Sequence, residues 1–425
     1  MPVKHDHFIC LRHVLTQLCS RQGGIGRPFC AFLHGLGHNR SFGTDSRIVD
    51  NASEFGRLRQ QLLKSECPPA FFFTSIFHAK CIANNSTMKH TLLVAATRNG
   101  HVERSHWGSV AIADAQGTLL AWSGDPDVYA FSRSTTKPFQ AIPFVRDHGP
   151  SHFGFSPSEV ALLCGSHSGE DSHVEPVGVM LSKIGVSERD LCCGLHLPIQ
   201  YREDNLPPVG SYFDQRHNNC SGKHTGFLGY CRMHGYDHSD YVAAGHPLQQ
   251  DIIQQIERLS GVRKSDLWFG TDGCSAPNIG MPISRLGMMW ARLAAGASGD
   301  GARADAVLSE IFAAMTSHPE MVSGRGRCDL AIARATSGDC VAKVGADGIY
   351  AMGIRTLGVG IAIKIADGDL SALYATAVAV LREIGVINDG NASSLTRWDN
   401  PKLRNARGME VGQLETMVCL NRSLA

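Results

Sequence analysis

Several features are missing from this chain, and each absence narrows what it is. No apolar run approaches the roughly 18 to 20 residues that a membrane helix needs, and the N-terminus lacks a charged region followed by an apolar one. Neither sign of charge is in excess: 40 Lys and Arg stand against 39 Asp and Glu, mixed throughout, for a net charge of +1. That leaves no basic stripe for a nucleic-acid backbone and no basic helix for a membrane surface. The 14 cysteines are scattered and lack the dense spacing of a small disulfide-stapled domain, so they read as reduced thiols. A cytoplasmic protein without nucleic-acid or membrane partners is the expectation. No internal repeat and no low-complexity tract is evident.

What remains is 425 residues, 43% hydrophobic and 19% charged, enough for a large core and for two structural units. Residues 1–87 carry Cys10, Cys19, Cys30, Cys67 and Cys81 among several histidines, with no sustained apolar period. Three readings compete for them: a loosely folded extension, a Cys/His metal-binding appendage, or sequence upstream of a true start at Met88. The last is favoured because the spacings match no zinc pattern. Residues 88–425 are read as the catalytic domain.

From Met88 the pattern predicts strands, then helices, then strands. Ser109–Asp114 and Thr118–Trp122 flank Ala115-Gln116-Gly117 and read as a hairpin. Ser156-Pro157-Ser158-Glu159 is a capping box with proline at the first helical position. Helices are expected over 171–184, 222–233, 247–259, 285–295, 302–315 and 370–384, and strands over 348–354, 358–365 and 409–414. The fold class is therefore α/β in the mixed α+β sense, one central sheet flanked by helices with a helical subdomain in the middle.

Five clusters carry chemistry. In Arg133-Ser134-Thr135-Thr136-Lys137-Pro138, a helix opened by Ser134 returns Lys137 to the same face one turn later, a nucleophile beside its base. Alone the spacing is weak, since Ser-x-x-Lys recurs by chance and a solvated lysine explains it equally. Cys164-Gly165-Ser166-His167-Ser168 is a hydroxyl-rich exit from a short helix, or only a helix cap. His217-Asn218-Asn219-Cys220-Ser221-Gly222-Lys223-His224 packs thiol, amine and imidazole together, and with Ser221 as cap it sets Lys223 and His224 against the helix dipole. Gly270 to Asn278 offers Asp272 and Cys274 in a glycine-rich loop. Lys343 enters a strand beside Gly345 and Gly348, or is a plain turn lysine.

Together these clusters make the chain similar to the rhizobial-type, or class 3, L-asparaginases over Met88 to Leu414. The match runs in order through Arg98 to His106, Arg133 to Pro138, Ser166 to Ser168, His217 to His224, Thr271 to Pro277, Met321 to Gly324 and Lys343 to Gly348. The first 87 residues have no counterpart in it. The resemblance implies a fold like that of serine-dependent glutaminases and β-lactamase or penicillin-binding-like serine hydrolases. It implies two Ser-Lys pairs, Ser134 with Lys137 and Ser166 with Lys343, acting through an acyl-enzyme on L-asparagine. Ser134 is assigned as nucleophile and Lys137 as its base. Lys343 would depress Lys137 by like-charge repulsion and pass protons to the departing ammonia. Which serine is acylated stays open. The resemblance further places substrate contacts on Arg133, His224 and Asp272, and zinc on Cys220, Lys223 and Cys274 with water in the fourth position. The zinc is expected to organise the pocket, and the family suggests a homodimer. A glutaminase would keep the same Ser-Lys pairs; a non-catalytic amino-acid or zinc-binding protein would need only Cys220, Cys274 and Asp272.

Overall fold

The computed structural model describes residues 90–201, 205–297 and 305–423. The readings of residues 1–87 lie outside them. The main sheet has nine strands, antiparallel at every described pairing. Thr91–Arg98 lies between Glu410–Thr416 and the long strand His101–Asp114; the latter continues to Val359–Ile365, Ile349–Ile354 and finally Cys340–Val344. The expected hairpin forms between His101–Asp114 and Leu119–Ser123, its turn held by Asp114 Oδ1, which accepts from the amides of Gln116 at 2.9 Å and Thr118 at 2.8 Å. Helices cover both faces. Those between Lys137 and Ser317 share one core with Ala111, Val341, Ala351 and Ala362, whereas Cys328–Ala335 and Leu370–Glu383 share another with Ile361, Ile363, Tyr350 and Met352.

Strand periodicity explains which face does what, because successive side chains alternate across a sheet. Large Ile, Tyr and Met side chains point to the second core, and Ala and Gly occupy the first. The small face lets helix Ile283–Gly296 approach until backbones nearly touch: a Cβ on Gly360 would sit 1.9 Å from the Gly287 carbonyl oxygen. By the same alternation Lys343 shares the small face with Val341. A second sheet of three strands joins Tyr129–Phe131, Pro277–Pro282 and Trp268–Thr271, with Asp272 to Ala276 as the turn between the last two.

The capping box at Ser156 and Glu159 forms as read, as do the helices Asp171–Lys183, Pro247–Ser260 and Leu370–Glu383. Two local readings change. Ser134 does not open an α-helix: Arg133–Thr136 is a 3-10 turn, and regular helix begins at Lys137 with Pro138 in its first turn. Proline fits there because its missing N–H had no partner. Ser221 is not a cap but the first helical residue of Ser221–His234, its hydroxyl donating to the Arg216 carbonyl at 2.7 Å.

Candidate active site

The Arg133 turn, the loop after helix Pro157–Leu163 and the edge strand Cys340–Val344 meet at one place. Gly165 allows the meeting, since a Cβ there would lie 2.4 Å from the Met321 carbonyl oxygen. Beyond it, the Ser166 amide donates to the Val322 carbonyl at 2.8 Å, which pins the loop against the Met321 to Gly324 segment. Ser166 Oγ then lies between two buried amines, 2.9 Å from Lys137 Nζ and 2.8 Å from Lys343 Nζ. Lys137 also donates to the carbonyls of Gly165 at 2.6 Å and Asn219 at 3.0 Å, and Lys343 to that of Val344 at 2.7 Å. Both lysines are essentially inaccessible to solvent.

The expected contact between Lys137 and Ser134 is not made. The 3-10 turn carries the lysine amine to Ser166 instead, where two carbonyls and a hydroxyl fill its three donor directions. Among the described residues the Ser134 hydroxyl has no hydrogen bond, and it lines the same 740 Å³ cavity as Ser166. Burial lowers the pKa of both amines, because a charge is disfavoured away from water. For Lys343 the charge of Lys137 adds to burial and drives it well below the ordinary lysine range. The repulsion thus falls on Lys343, where the sequence reading had placed it on Lys137.

Arg133 is engaged by two carboxylates, Asp272 at 3.1 Å and Asp347 at 3.0 Å. Its backbone is strained, with φ of 51°, and so are Asp347 at 57° and Ser275 at 71°. Non-glycine residues in this region cost on the order of 1–3 kcal/mol each and gather at functional sites. The pairing links the Ser134 turn to the loop after Val344. Asp272 in turn leads to Cys274, whose Sγ lies 3.7 Å from Asp272 Oδ2.

The three residues that the resemblance implies as metal ligands lie together. Lys223 Nζ lies 3.1 Å from Cys274 Sγ, and the free thiols of Cys220 and Cys274 are hydrogen-bonded. Among the described residues no group of three His, Cys, Asp or Glu side chains could hold a metal ion; the converging donors are two sulfurs and an amine. The Cys220 hydrogen bond, with the Lys223 charge, holds the Cys274 thiol far below its usual range. Burial lowers Lys223, but the neighbouring sulfurs outweigh it and hold the ammonium above its ordinary pKa. Two buried sulfurs in contact suit zinc, and the Lys223 nitrogen would join them as a ligand only on losing its proton to the metal. His224 lies alongside, its Nδ1 2.8 Å from the Tyr241 hydroxyl and its buried Nε2 without a hydrogen-bond partner. Burial brings its pKa down to about 4, so the ring is neutral.

Of the ten residues singled out, Ser134 and Ser166 line the cavity, Lys137 and Lys343 are held on Ser166, and Arg133, Asp272, Cys274, Lys223, Cys220 and His224 form a chain of neighbours that does not itself line it. Sequence reasoning missed three: Asp347, which holds Arg133; Tyr241, which orients His224; and Arg327, whose guanidinium donates to the Ser166 carbonyl at 2.6 Å. Only Asp347 had a signal, as part of the Lys343 to Gly348 stretch.

No curated protein matches this chain. Among solved structures it is similar to a β-lactamase from Mycobacterium bovis, 15% identical over 65% of this chain and 94% of that one, with a TM-score of 0.34. It is also similar to Mglu in its glutamate form, 15% identical over 66% of this chain and 61% of that one, with a TM-score of 0.38. No helix of the described residues is long and apolar enough to cross a membrane. Residues 94–416, which hold every residue of the site, match the family model for L-asparaginase II; the chain belongs to that family.

Proposed function

We propose that this protein hydrolyses the side-chain amide of L-asparagine to L-aspartate and ammonia through an acyl-enzyme. The observation that carries the reading is the Ser166 oxygen bridging two buried amines at the edge of a cavity that Ser134 shares. Two amines this close cannot both stay protonated cheaply, so the pair titrates as a unit and holds a vacancy for a proton at neutral pH. Ser134, whose oxygen makes no hydrogen bond among the described residues, attacks the carboxamide carbon. Its proton passes to the amine pair, and the Ser134 turn and Lys137 draw together on substrate binding, as catalytic hydrogen bonds commonly tighten at that point. Collapse of the tetrahedral adduct breaks the C–N bond, and the pair returns the proton through Ser166 to the departing ammonia. Water then cleaves the ester on Ser134 by the same route in reverse.

Cys220, Lys223 and Cys274 would hold zinc, which when bound ties the two loops of the pocket wall together. Arg133, locked to Asp272 and Asp347, shapes that wall, and Asp272 and His224 supply its polar face. A cytoplasmic homodimer is the form proposed. The test is ammonia release by the purified chain from L-asparagine and from L-glutamine. Preference for asparagine supports the reading, preference for glutamine moves it to a glutaminase with the same machinery, and release from neither refutes it.

A further inference from the structure

A free amino acid needs a cation for its α-carboxylate, and Arg133, the expected one, already holds two carboxylates at 3.1 and 3.0 Å. Three other arginines line the cavity of Ser134 and Ser166. Arg325 is ion-paired with Glu170 at 2.7 Å, and its side chain is 81% exposed. Arg397 is exposed, lies over the Trp398 ring and donates weakly to the Gly326 carbonyl at 3.4 Å. Arg327 is different. It is half-buried, its guanidinium is fixed 2.6 Å from the Ser166 carbonyl oxygen, and its other hydrogen-bonding neighbour is the Tyr374 hydroxyl. Among the described residues it forms no ion pair. Asp329, two residues on, spends one oxygen on the Val344 amide at 2.6 Å and is not ion-paired with Arg327.

A guanidinium has five N–H donors in a planar fork that matches a carboxylate, and two neighbours leave donors over. A half-buried cation beside a nucleophilic centre, which Asp329 influences through space without an ion pair, has the chemistry of a carboxylate site. Being tied to the backbone of Ser166, it stands at a fixed distance from the reacting groups, which converts substrate binding into orientation.

Resting on the asparaginase reading, we propose that Arg327 binds the α-carboxylate of the substrate, and that Arg133 serves to shape the pocket wall. The test compares L-asparagine with its α-methyl ester, which lacks the negative charge, in the parent protein and in Arg327→Met, Arg327→Lys and Arg133→Met, each read as ammonia release. Charge-assisted bonds of this kind give about a tenfold to hundredfold preference. Arg327→Met should raise KM for asparagine by that factor, leave KM for the ester within about twofold, and so erase the preference; Arg327→Lys should restore part of it. Equal losses on both substrates would make Arg327 a mere prop for Ser166 and overturn the proposal. So would loss of the preference in Arg133→Met but not in Arg327→Met. If Arg327→Met fails to fold, Arg327→Lys decides alone: an unchanged preference ratio refutes the assignment. A parent protein inert on asparagine would instead overturn the asparaginase reading, and this assignment with it.

Discussion

Replacing Lys343 by Met removes one of the two amines on Ser166 while keeping a side chain of similar length in a site that is 0% exposed. Both nitrogens bond one oxygen, at 2.8 and 2.9 Å, so they are less than about 6 Å apart. At that separation and an effective dielectric of about 20, two full charges repel by about 3 kcal/mol, or roughly two pKa units. The first proton therefore leaves the pair at a pH well below the ordinary lysine range, and kcat/KM should have an acidic limb there, because below it both amines are charged and no base remains. In Lys343→Met the surviving Lys137 keeps its burial and the Lys223 charge but loses the repulsion of the second amine. Its limb should move up by as much as about two units, and the rate on the plateau should fall by about 10²- to 10⁴-fold with the loss of a proton-transfer group. Stability should move the other way. Burial first, then Lys137, lowers the folded pKa of Lys343, so the unfolded chain binds the extra proton, and stability is lost as pH falls from the ordinary lysine range to the folded value. Methionine abolishes that loss, so Tm at neutral pH should be unchanged or higher. The assay is ammonia release across pH together with thermal unfolding. An acidic limb that stays in place while the plateau rate falls would refute the coupled pair.

Three further outcomes are expected. Metal analysis should find one zinc per chain, and Cys220→Ser should lower that content and raise KM more than it lowers kcat, since the metal is proposed to hold the pocket wall; a collapse of kcat at constant KM would move zinc into the chemistry. Gly360→Ala should destabilise by about 3 kcal/mol, read as a lower urea midpoint at constant slope, because its Cβ would meet the Gly287 carbonyl oxygen and the Ala291 amide nitrogen at 1.9 and 2.3 Å. Deleting residues 1–87 should leave folding and activity intact, because they show no sustained apolar period and the family match starts at residue 94; insoluble or inactive protein would count against it.

The sequence was most legible where local physics decides. The capping box at Ser156, the hairpin around Ala115 to Gly117 and the helix from Pro247 to its left-handed Gly261 are signalled by neighbours a few residues apart, and each forms. The strand Thr91–Arg98, the three-stranded sheet and helix Cys328–Ala335 were not foreseen. Trp268–Thr271 and Tyr129–Phe131 are too short to show a period and take their form from pairing with Pro277–Pro282. At the site, motifs located the serines and lysines but misjudged who touches whom. The side chains of Ser134 and Lys137, three residues apart, are not hydrogen-bonded to each other, whereas Lys343 reaches Ser166 across 177 residues and Arg327 reaches it across 161. Spacing along a helix predicts contacts only if the helix is there, and a 3-10 turn rotated Lys137 away.

The most direct test of the account is to quench the reaction with L-asparagine in its first turnovers, digest the protein, and locate any covalent aspartyl group by mass spectrometry. The account predicts one aspartyl group, on the peptide containing Ser134 and absent from Ser134→Ala. An aspartyl group on Ser166 instead, or undiminished ammonia release by Ser134→Ala, would contradict it.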